Sequence, residues 1–218
     1  NLLFKIHPYG QQSTLGTVDH LKNPSIDAIE EFYSKHYVPE NMAICISGDI
    51  DPVKTFKIIE ESFSSWEQNS PLRDEPKWEE KPLQGREFIK VKYLGEEQVL
   101  LAFRTAPRFH ADYPALRLVD MILDNSVAGL INLNLVNQQK VRGAGCFPIN
   151  YNDYGAHYFM GSPKDDQSLE EVEKLLLEQI DLVKAGKFDE WVLPAVINDF
   201  KKRQKEDLES NPKRVELM

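Results

Sequence analysis

The segment from His7 to Trp66 constrains the fold more than any other part of this 218-residue chain, because helix signals, turns and one short apolar run alternate within it. Ser25 is placed to cap a first helix, with Asp27 in its first turn. One face of that helix is apolar and carries Ile26, Ile29, Phe32 and Tyr33. Pro39 predicts where the helix ends, since proline disfavours helical geometry in the residue before it.

A short strand and a second helix follow. Met42 to Ser47 is apolar and rich in Ile, which predicts a strand covered on at least one face. Asp51 is placed to cap the second helix, and Pro52 suits its first position. The apolar side of the second helix carries Val53, Phe56, Ile59 and Phe63.

Four short motifs in this segment together resemble the insulinase/pitrilysin family of zinc metallopeptidases. The motifs are His7-Pro8-Tyr9-Gly10, Phe32 to Tyr37, Pro39 to Met42 and Gly48 to Pro52. None of them is specific alone, but their order and spacing are similar to those of the family. The resemblance extends more weakly to the end of the chain.

The resemblance implies a zinc site that this chain does not contain. Family members hold zinc with His-x-x-Glu-His on a helix and a further Glu downstream, with the motif Glu as general base. The five histidines here are His7, His20, His36, His110 and His157, and none has another four or five residues away. His36 and Glu40 are separated by Pro39, so they do not share a helical face. We therefore predict no catalytic, metal-binding or cofactor-binding residue, and no activity for the chain alone.

The family's domain order suggests where the zinc ligands lie. In the family, the zinc-binding half precedes the His-Pro-Tyr-Gly segment. A chain that begins at Asn1 is therefore expected to be a piece starting after those ligands, with zinc in the missing upstream domain. Residues 1–218 are then a single non-catalytic domain, with residues 1–24 as a lead-in from the preceding domain.

A second family feature also has no clear counterpart. One domain of the family's C-terminal half supplies an Arg and a Tyr, seven residues apart, to the substrate. The corresponding stretch is Leu133 to Gly145, where Val136 and Gly143 occupy those positions. A shifted register would offer Arg142 as the Arg, together with Tyr151 or Tyr154 as the Tyr. We predict that the pair is absent.

Charge and composition exclude some classes of partner. The net charge of −9 argues against a nucleic-acid partner, since phosphate binding needs a basic surface. It suits either a chamber wall that attracts basic peptides or an ordinary solvated surface. The sequence contains no run of eighteen apolar residues, so it predicts no membrane-spanning helix. Cys45 and Cys146 lie in apolar, strand-like surroundings and are predicted to be buried.

The remainder of the chain predicts strands mixed with helices. Ile89 to Tyr93 alternates and is expected to form an antiparallel hairpin with Val99 to Phe103. A second strand pair is expected across Asn152 to Gly155. Four helices are predicted. The first begins near Asp112, the second runs from about Gly129 to Lys140, the third starts at the Ser168 capping box, and the fourth runs from about Asp189 to Leu208.

These elements predict the α+β class, with one mostly antiparallel sheet and helices packed on one face. The same architecture is implied by the resemblance, which likens the chain to the half-repeat domains of mitochondrial processing peptidase.

The resemblance implies a non-catalytic, chamber-forming domain of a zinc endopeptidase that degrades or processes peptides. Its partners would be peptide substrates and a catalytic domain, in the same polypeptide or in a second subunit. The alternative is a domain of an inactive homologue that serves as a partner or structural subunit. Two further hypotheses are a metal site formed by His7, His20 and His36 with a carboxylate, and peptide binding at an exposed sheet edge. Substrate and compartment are left open.

Overall fold

The computed structural model describes residues 2–66, 76–92 and 94–218 and divides into two compact units. Unit 1 comprises Asn1–Glu87 with Gln204–Met218, and unit 2 comprises Phe88–Arg203. The chain passes from unit 1 to unit 2 after Glu87 and returns to unit 1 after Arg203, within one helix.

Unit 1 is built from short helices and extended segments. Its helices are α1 (Pro8–Gln11), α2 (Val18–Lys22), α3 (Ile26–His36) and α4 (Pro52–Phe63), with a 3-10 turn at Pro39–Asn41. The predicted caps are confirmed: the Ser25 hydroxyl accepts the Ala28 amide, and the Asp51 carboxylate accepts the amides of Val53 and Lys54. Such caps satisfy amide groups that the first helical turn leaves without a partner.

The strand predicted at Met42 to Ser47 is not formed in the described residues, so that prediction was wrong. Ile44 and Ile46, which share one face of an extended segment, are 51% and 39% exposed, and Ala43 on the other face is exposed as well. Cys45, predicted to be buried, is exposed as well. A strand is defined by its hydrogen bonds to a neighbouring strand, and no described segment pairs with this one.

Unit 2 contains an antiparallel sheet of three strands in the order β1-β3-β2. The strands are β1 (Val99–Thr105), β2 (Gly143–Asn150) and β3 (Gly155–Ser162). Helices α5 (Tyr113–Leu123) and α6 (Leu169–Lys184) pack on the sheet. Leu101 packs against the core beneath them, whereas Leu100 on the opposite face is 57% exposed. The predicted α+β class, with helices on one face of the sheet, is confirmed.

Two clusters of buried side chains form the core of unit 2. The first lies between the sheet and α6 and contains Leu123, Ile131, Leu135, Val141, Phe159, Val172 and Leu176. The second joins α5 to α7 (Val192–Glu209) and contains Met121, Ile122, Leu130, Val192 and Val196. Because α5 contributes to both clusters, its position on the sheet is fixed from two sides.

Two expectations for unit 2 need correction, and one helix near the end of the chain was not expected. Ile89 to Lys92 forms no strand, and β1 pairs with β3 instead; Tyr93 lies outside the described residues. The helix expected from Gly129 to Lys140 has π geometry at Asn132–Val136 in place of α geometry, and its helical hydrogen bonds extend from the Gly129 carbonyl to the Lys140 amide. The chain continues after α7 as a last helix, α8 (Asn211–Leu217). Proline is tolerated at the start of a helix, so Pro212 begins α8 as well as ending α7.

Replacing Ser168 by Ala is expected to lower the free energy of unfolding by about 1 kcal/mol. The Ser168 hydroxyl accepts the Glu171 amide, and the Glu171 carboxylate accepts the Ser168 amide in return. Ser210→Ala is the matched control, because Ser210 stands at the N-cap of α8 without a side-chain capping bond. Urea unfolding of the two variants measures the difference. Equal losses would show that the capping box contributes nothing.

Candidate docking surface

Apolar side chains between residues 26 and 63 point into solvent. On α3 they are Ile26, Ile29, Phe32 and Tyr33, and on α4 they are Val53, Phe56, Ile58 and Phe63. Phe56 is 74% exposed and Ile26 is 69% exposed. Together with Met42, Ile44, Ile46 and Ile50 of the intervening segment, these residues are called here the apolar surface. Isolated exposed apolar residues are ordinary, whereas many of them along one segment are a feature common to interaction sites.

Unit 1 has little core of its own to account for these residues. Among its described residues, only Phe4, His7, Val38 and Glu80 are buried. Helices α3 and α4 contain no buried residue, although each has one apolar side. An amphipathic helix is stabilised mainly by packing of its apolar face. The apolar faces of α3 and α4 therefore lack the side-chain packing that normally stabilises an amphipathic helix.

The lead-in segment is held by polar contacts. The Glu80 carboxylate accepts the amides of Ile6 and His7, at 2.6 and 2.7 Å. The His7 ring accepts the Tyr9 amide at 3.2 Å and so caps α1. A Cβ atom on Gly10 would lie 2.0 Å from the Phe4 carbonyl oxygen, so the turn requires glycine. The His-Pro-Tyr-Gly motif thus acts as a structural turn.

The structure does not assemble a metal site from the three N-terminal histidines. The His20 ring accepts the Thr17 amide, and the His36 ring packs on Phe32 with centroids 4.3 Å apart. Across residues 2–66, 76–92 and 94–218, the side chains of His7, His20 and His36 do not converge in any group of three or more potential ligands. The hypothesis of a site formed by these three is wrong. His110 is at the surface, within 3.6 Å of Asp112.

The residues considered for the family's Arg and Tyr are far apart. Arg142 pairs with Asp165 at 2.7 Å and with Glu96 at 3.4 Å, just before β2. Tyr151 follows the other end of β2. At about 3.4 Å per residue, their backbones are separated by about 30 Å of extended strand. Val136 and Gly143, which occupy the Arg and Tyr positions when the motif is placed without gaps, lie in the π turn and at the start of β2. That the pair is absent stays a prediction.

Comparison with known proteins identifies the family. The sequence profile described as the peptidase M16 inactive domain matches residues 25–200. The chain belongs to the M16 peptidase family. This confirms the resemblance drawn from the four motifs between His7 and Pro52, and it makes this chain a non-catalytic domain of that family. Residues 1–24 lie outside the match.

Relatives in the M16 family carry the name of zinc proteases. The chain is 23% identical to the zinc protease PqqE of Helicobacter pylori, over 97% of this chain and 47% of that protein. A crystal structure of a protease from Helicobacter pylori superposes with a TM-score of 0.85 at 20% identity, covering 98% of this chain and 52% of that one. The crystal structure of the periplasmic protease PqqL from Escherichia coli superposes with a TM-score of 0.62 at 14% identity, covering 93% of this chain and 23% of that one. The chain thus spans about half the length, or less, of these M16 relatives.

The catalytic zinc site that the M16 family implies does not fit this chain, because its ligand motif has no counterpart here. The His-x-x-Glu-His motif is missing from the sequence, and the first three histidines do not converge within the described residues. We therefore derive no catalytic step for this chain. Among the described helices, none is long and apolar enough to cross a bilayer.

Proposed function

We propose that this chain is the supporting domain of an M16 zinc endopeptidase, which helps to enclose peptide substrates and docks on the zinc-bearing domain through the apolar surface. The observation that carries the proposal is the exposure of the apolar faces of α3 and α4. Fully burying an apolar side chain of this size contributes about 1.5–3 kcal/mol. A set of them supports a stable interface.

The zinc-bearing domain is the proposed occupant for two reasons. The zinc protease PqqE of Helicobacter pylori is about twice as long as this chain, so it holds a further half, and a corresponding half of this protein could cover the surface. The segment from Met42 to Ser47 also has the composition of a buried strand but no strand partner in the described residues. Addition to a sheet of the catalytic domain would satisfy its backbone groups.

In this proposal residues 1–218 act as one non-catalytic domain, and residues 1–24 are the lead-in from the preceding domain. The start of the family match at residue 25 supports that boundary. Unit 1 carries the docking surface, and unit 2 supplies a core of its own. The net charge of −9 suits a chamber that attracts basic peptides.

The first test is hydrolysis of a fluorogenic peptide by three samples: this chain alone, the product of the whole gene, and the two halves mixed. We expect background rates for this chain alone and chelator-sensitive hydrolysis for the other two samples. The reason is that this chain lacks the zinc motif, whereas the zinc-bearing half would need support from this domain.

Two outcomes would contradict the proposal. Hydrolysis by this chain alone would place a catalytic centre within it. A whole-gene product that neither carries the zinc motif nor hydrolyses peptides would favour the inactive homologue acting as a partner subunit.

A further inference from the structure

Three potential metal ligands converge in unit 2, beneath α5. They are the Asp120 carboxylate on α5, the Cys146 thiol on β2 and the His157 imidazole on β3, with one ligand atom from each within 4.8 Å of the others. Asp120 Oδ1 lies 2.8 Å from His157 Nε2 and 3.6 Å from Cys146 Sγ. In the described part of the chain, no other His, Cys or carboxylate group reaches this density.

The fold brings these three side chains to one point. Cys146 is directly opposite Phe159 in the β2–β3 register, and His157 lies two residues before Phe159. Residues two apart on a strand share a face, so Cys146 and His157 are diagonal neighbours on the covered side of the sheet. Helix α5 packs against β2 on that side and presents Asp120.

We propose that Asp120, Cys146 and His157 form a binding site for a divalent transition-metal cation, and that Zn²⁺ fits this donor set best. A thiolate with an imidazole and a carboxylate is a zinc-type ligand set, whereas magnesium and calcium take oxygen ligands. Tetrahedral zinc places such ligand atoms about 3.4–3.6 Å apart. The oxygen–sulfur distance of 3.6 Å already fits, and the oxygen–nitrogen distance of 2.8 Å needs to open slightly.

The surrounding charges also favour a cation. Asp124 lies one helical turn after Asp120, and its Oδ2 atom accepts the Cys146 amide at 3.1 Å. Within the described residues, no Lys or Arg forms an ion pair with Asp120 or Asp124. The cationic partner that these residues offer is the His157 ring, 2.8 Å from Asp120, and only when that ring is protonated. Two partly buried carboxylates thus lie close to the thiol without a Lys or Arg partner among the described residues, and a divalent ion would supply compensating charge.

Asp124 would support the site from the second coordination sphere. Its Oδ1 atom accepts the Ser126 amide at 2.9 Å and the Asn132 side-chain amide at 2.7 Å. A Cβ atom on Gly145 would lie 2.8 Å from Asp124 Oδ2, so glycine leaves room for this carboxylate to reach β2. Such supporting contacts orient the ligands and commonly change metal affinity by about 10–100-fold.

A nucleophilic thiol is the competing interpretation, and the geometry disfavours it. A catalytic Cys needs a thiolate beside a base. Here His157 Nε2 is hydrogen-bonded to the Asp120 carboxylate, and the Cys146 thiol donates its hydrogen bond to the same carboxylate rather than to the His157 ring. Burial, with the nearby charges of Asp120 and Asp124, raises the pKa of the Cys146 thiol well above its ordinary value, so the free site holds a neutral thiol. Cation binding would release that proton to solvent while a sulfur–metal bond forms.

Three protein ligands leave one tetrahedral position for water. The side chains of His157 and Asp120 are 9% and 19% exposed, so the site borders solvent. The expected consequence of binding is structural, because the ion would link α5 to the β2–β3 hairpin. This inference does not depend on whether the intact protein hydrolyses peptides.

The test is titration of the reduced 218-residue chain with Co²⁺ and, separately, with Zn²⁺. We expect one Co²⁺ per chain with a thiolate-to-cobalt charge-transfer band, displacement of that band by Zn²⁺, and a Tm that rises with Zn²⁺. Cys146→Ser should abolish the band, and His157→Gln should weaken binding by at least tenfold. The matched controls Cys45→Ser and His110→Gln should bind as the unmodified chain does, since both residues are outside the cluster.

Circular dichroism without metal verifies that each variant is folded. Asp124→Asn is a further variant, expected to weaken binding by about 10–100-fold while leaving the band in place. Absence of a charge-transfer band in the folded, reduced chain would overturn the inference. So would a band that persists in Cys146→Ser or is lost in Cys45→Ser.

Discussion

Leu176→Ala is expected to lower the free energy of unfolding of unit 2 by about 2–5 kcal/mol. Leu176 is fully buried in the cluster between α6 and the sheet. Alanine is the best helix former, so the substitution costs no helix propensity and its effect is a loss of packing. Typical domains are stable by only about 5–15 kcal/mol, and this loss is a large part of that.

The local packing explains why the cavity would not close easily. A Cβ atom on Gly161 of β3 would lie 2.5 Å from Val172 Cγ1 and 3.2 Å from Leu176 Cδ1, so α6 already touches the sheet at its closest approach. Further approach of the helix is blocked there. The atoms removed from Leu176 would therefore leave a void whose lining loses dispersion contacts.

Leu100→Ala is the control, because Leu100 is an exposed leucine on the opposite face of the same sheet. We expect it to change the free energy of unfolding by less than about 1 kcal/mol. Denaturant unfolding followed by circular dichroism gives both values. If the two variants lose the same stability, the cluster around Leu176 is not the core of unit 2.

Signals that act within a few residues were readable from the sequence. The caps at Ser25, Asp51 and Ser168 were all predicted, because a capping side chain bonds to an amide two or three residues away. The α+β class followed in the same way from local periodicity, and the family followed from motifs of fixed spacing. Unit 2 also confirmed the strand pair across Asn152 to Gly155, since a hairpin is set by its own turn.

Features that depend on distant partners were missed. The segments Met42 to Ser47 and Ile89 to Tyr93 have strand-like composition, which is why strands were expected there. Composition does not determine whether a neighbouring strand is available for pairing. The Asp120–Cys146–His157 cluster left no spacing signal either. Asp120 is 26 residues from Cys146 and 37 from His157, so only the fold brings them together. Cys45 was expected to be buried in the strand from Met42 to Ser47. Because that strand does not form, Cys45 is exposed.

The docking proposal makes a second large prediction, because the apolar surface is defined by named side chains. Phe56→Asp is expected to weaken association with the zinc-bearing domain by at least about 100-fold. Aromatic residues at the centre of an interface contribute about 2–4 kcal/mol, and each 1.4 kcal/mol is a tenfold change in affinity. Burying an unpaired carboxylate in place of the ring adds a further cost.

The free chain should tolerate this substitution, because Phe56 is 74% exposed and supports no core there. Ser62→Asp is the matched control: it adds the same charge to α4 at an exposed polar position. Isothermal titration of each variant with the zinc-bearing half measures the affinity, and thermal unfolding measures the stability of the free chain. If Phe56→Asp bound as tightly as Ser62→Asp, the apolar surface would not be the docking site. If Phe56→Asp instead unfolded the free chain, the exposed side of α4 would be packed within this chain rather than awaiting a partner.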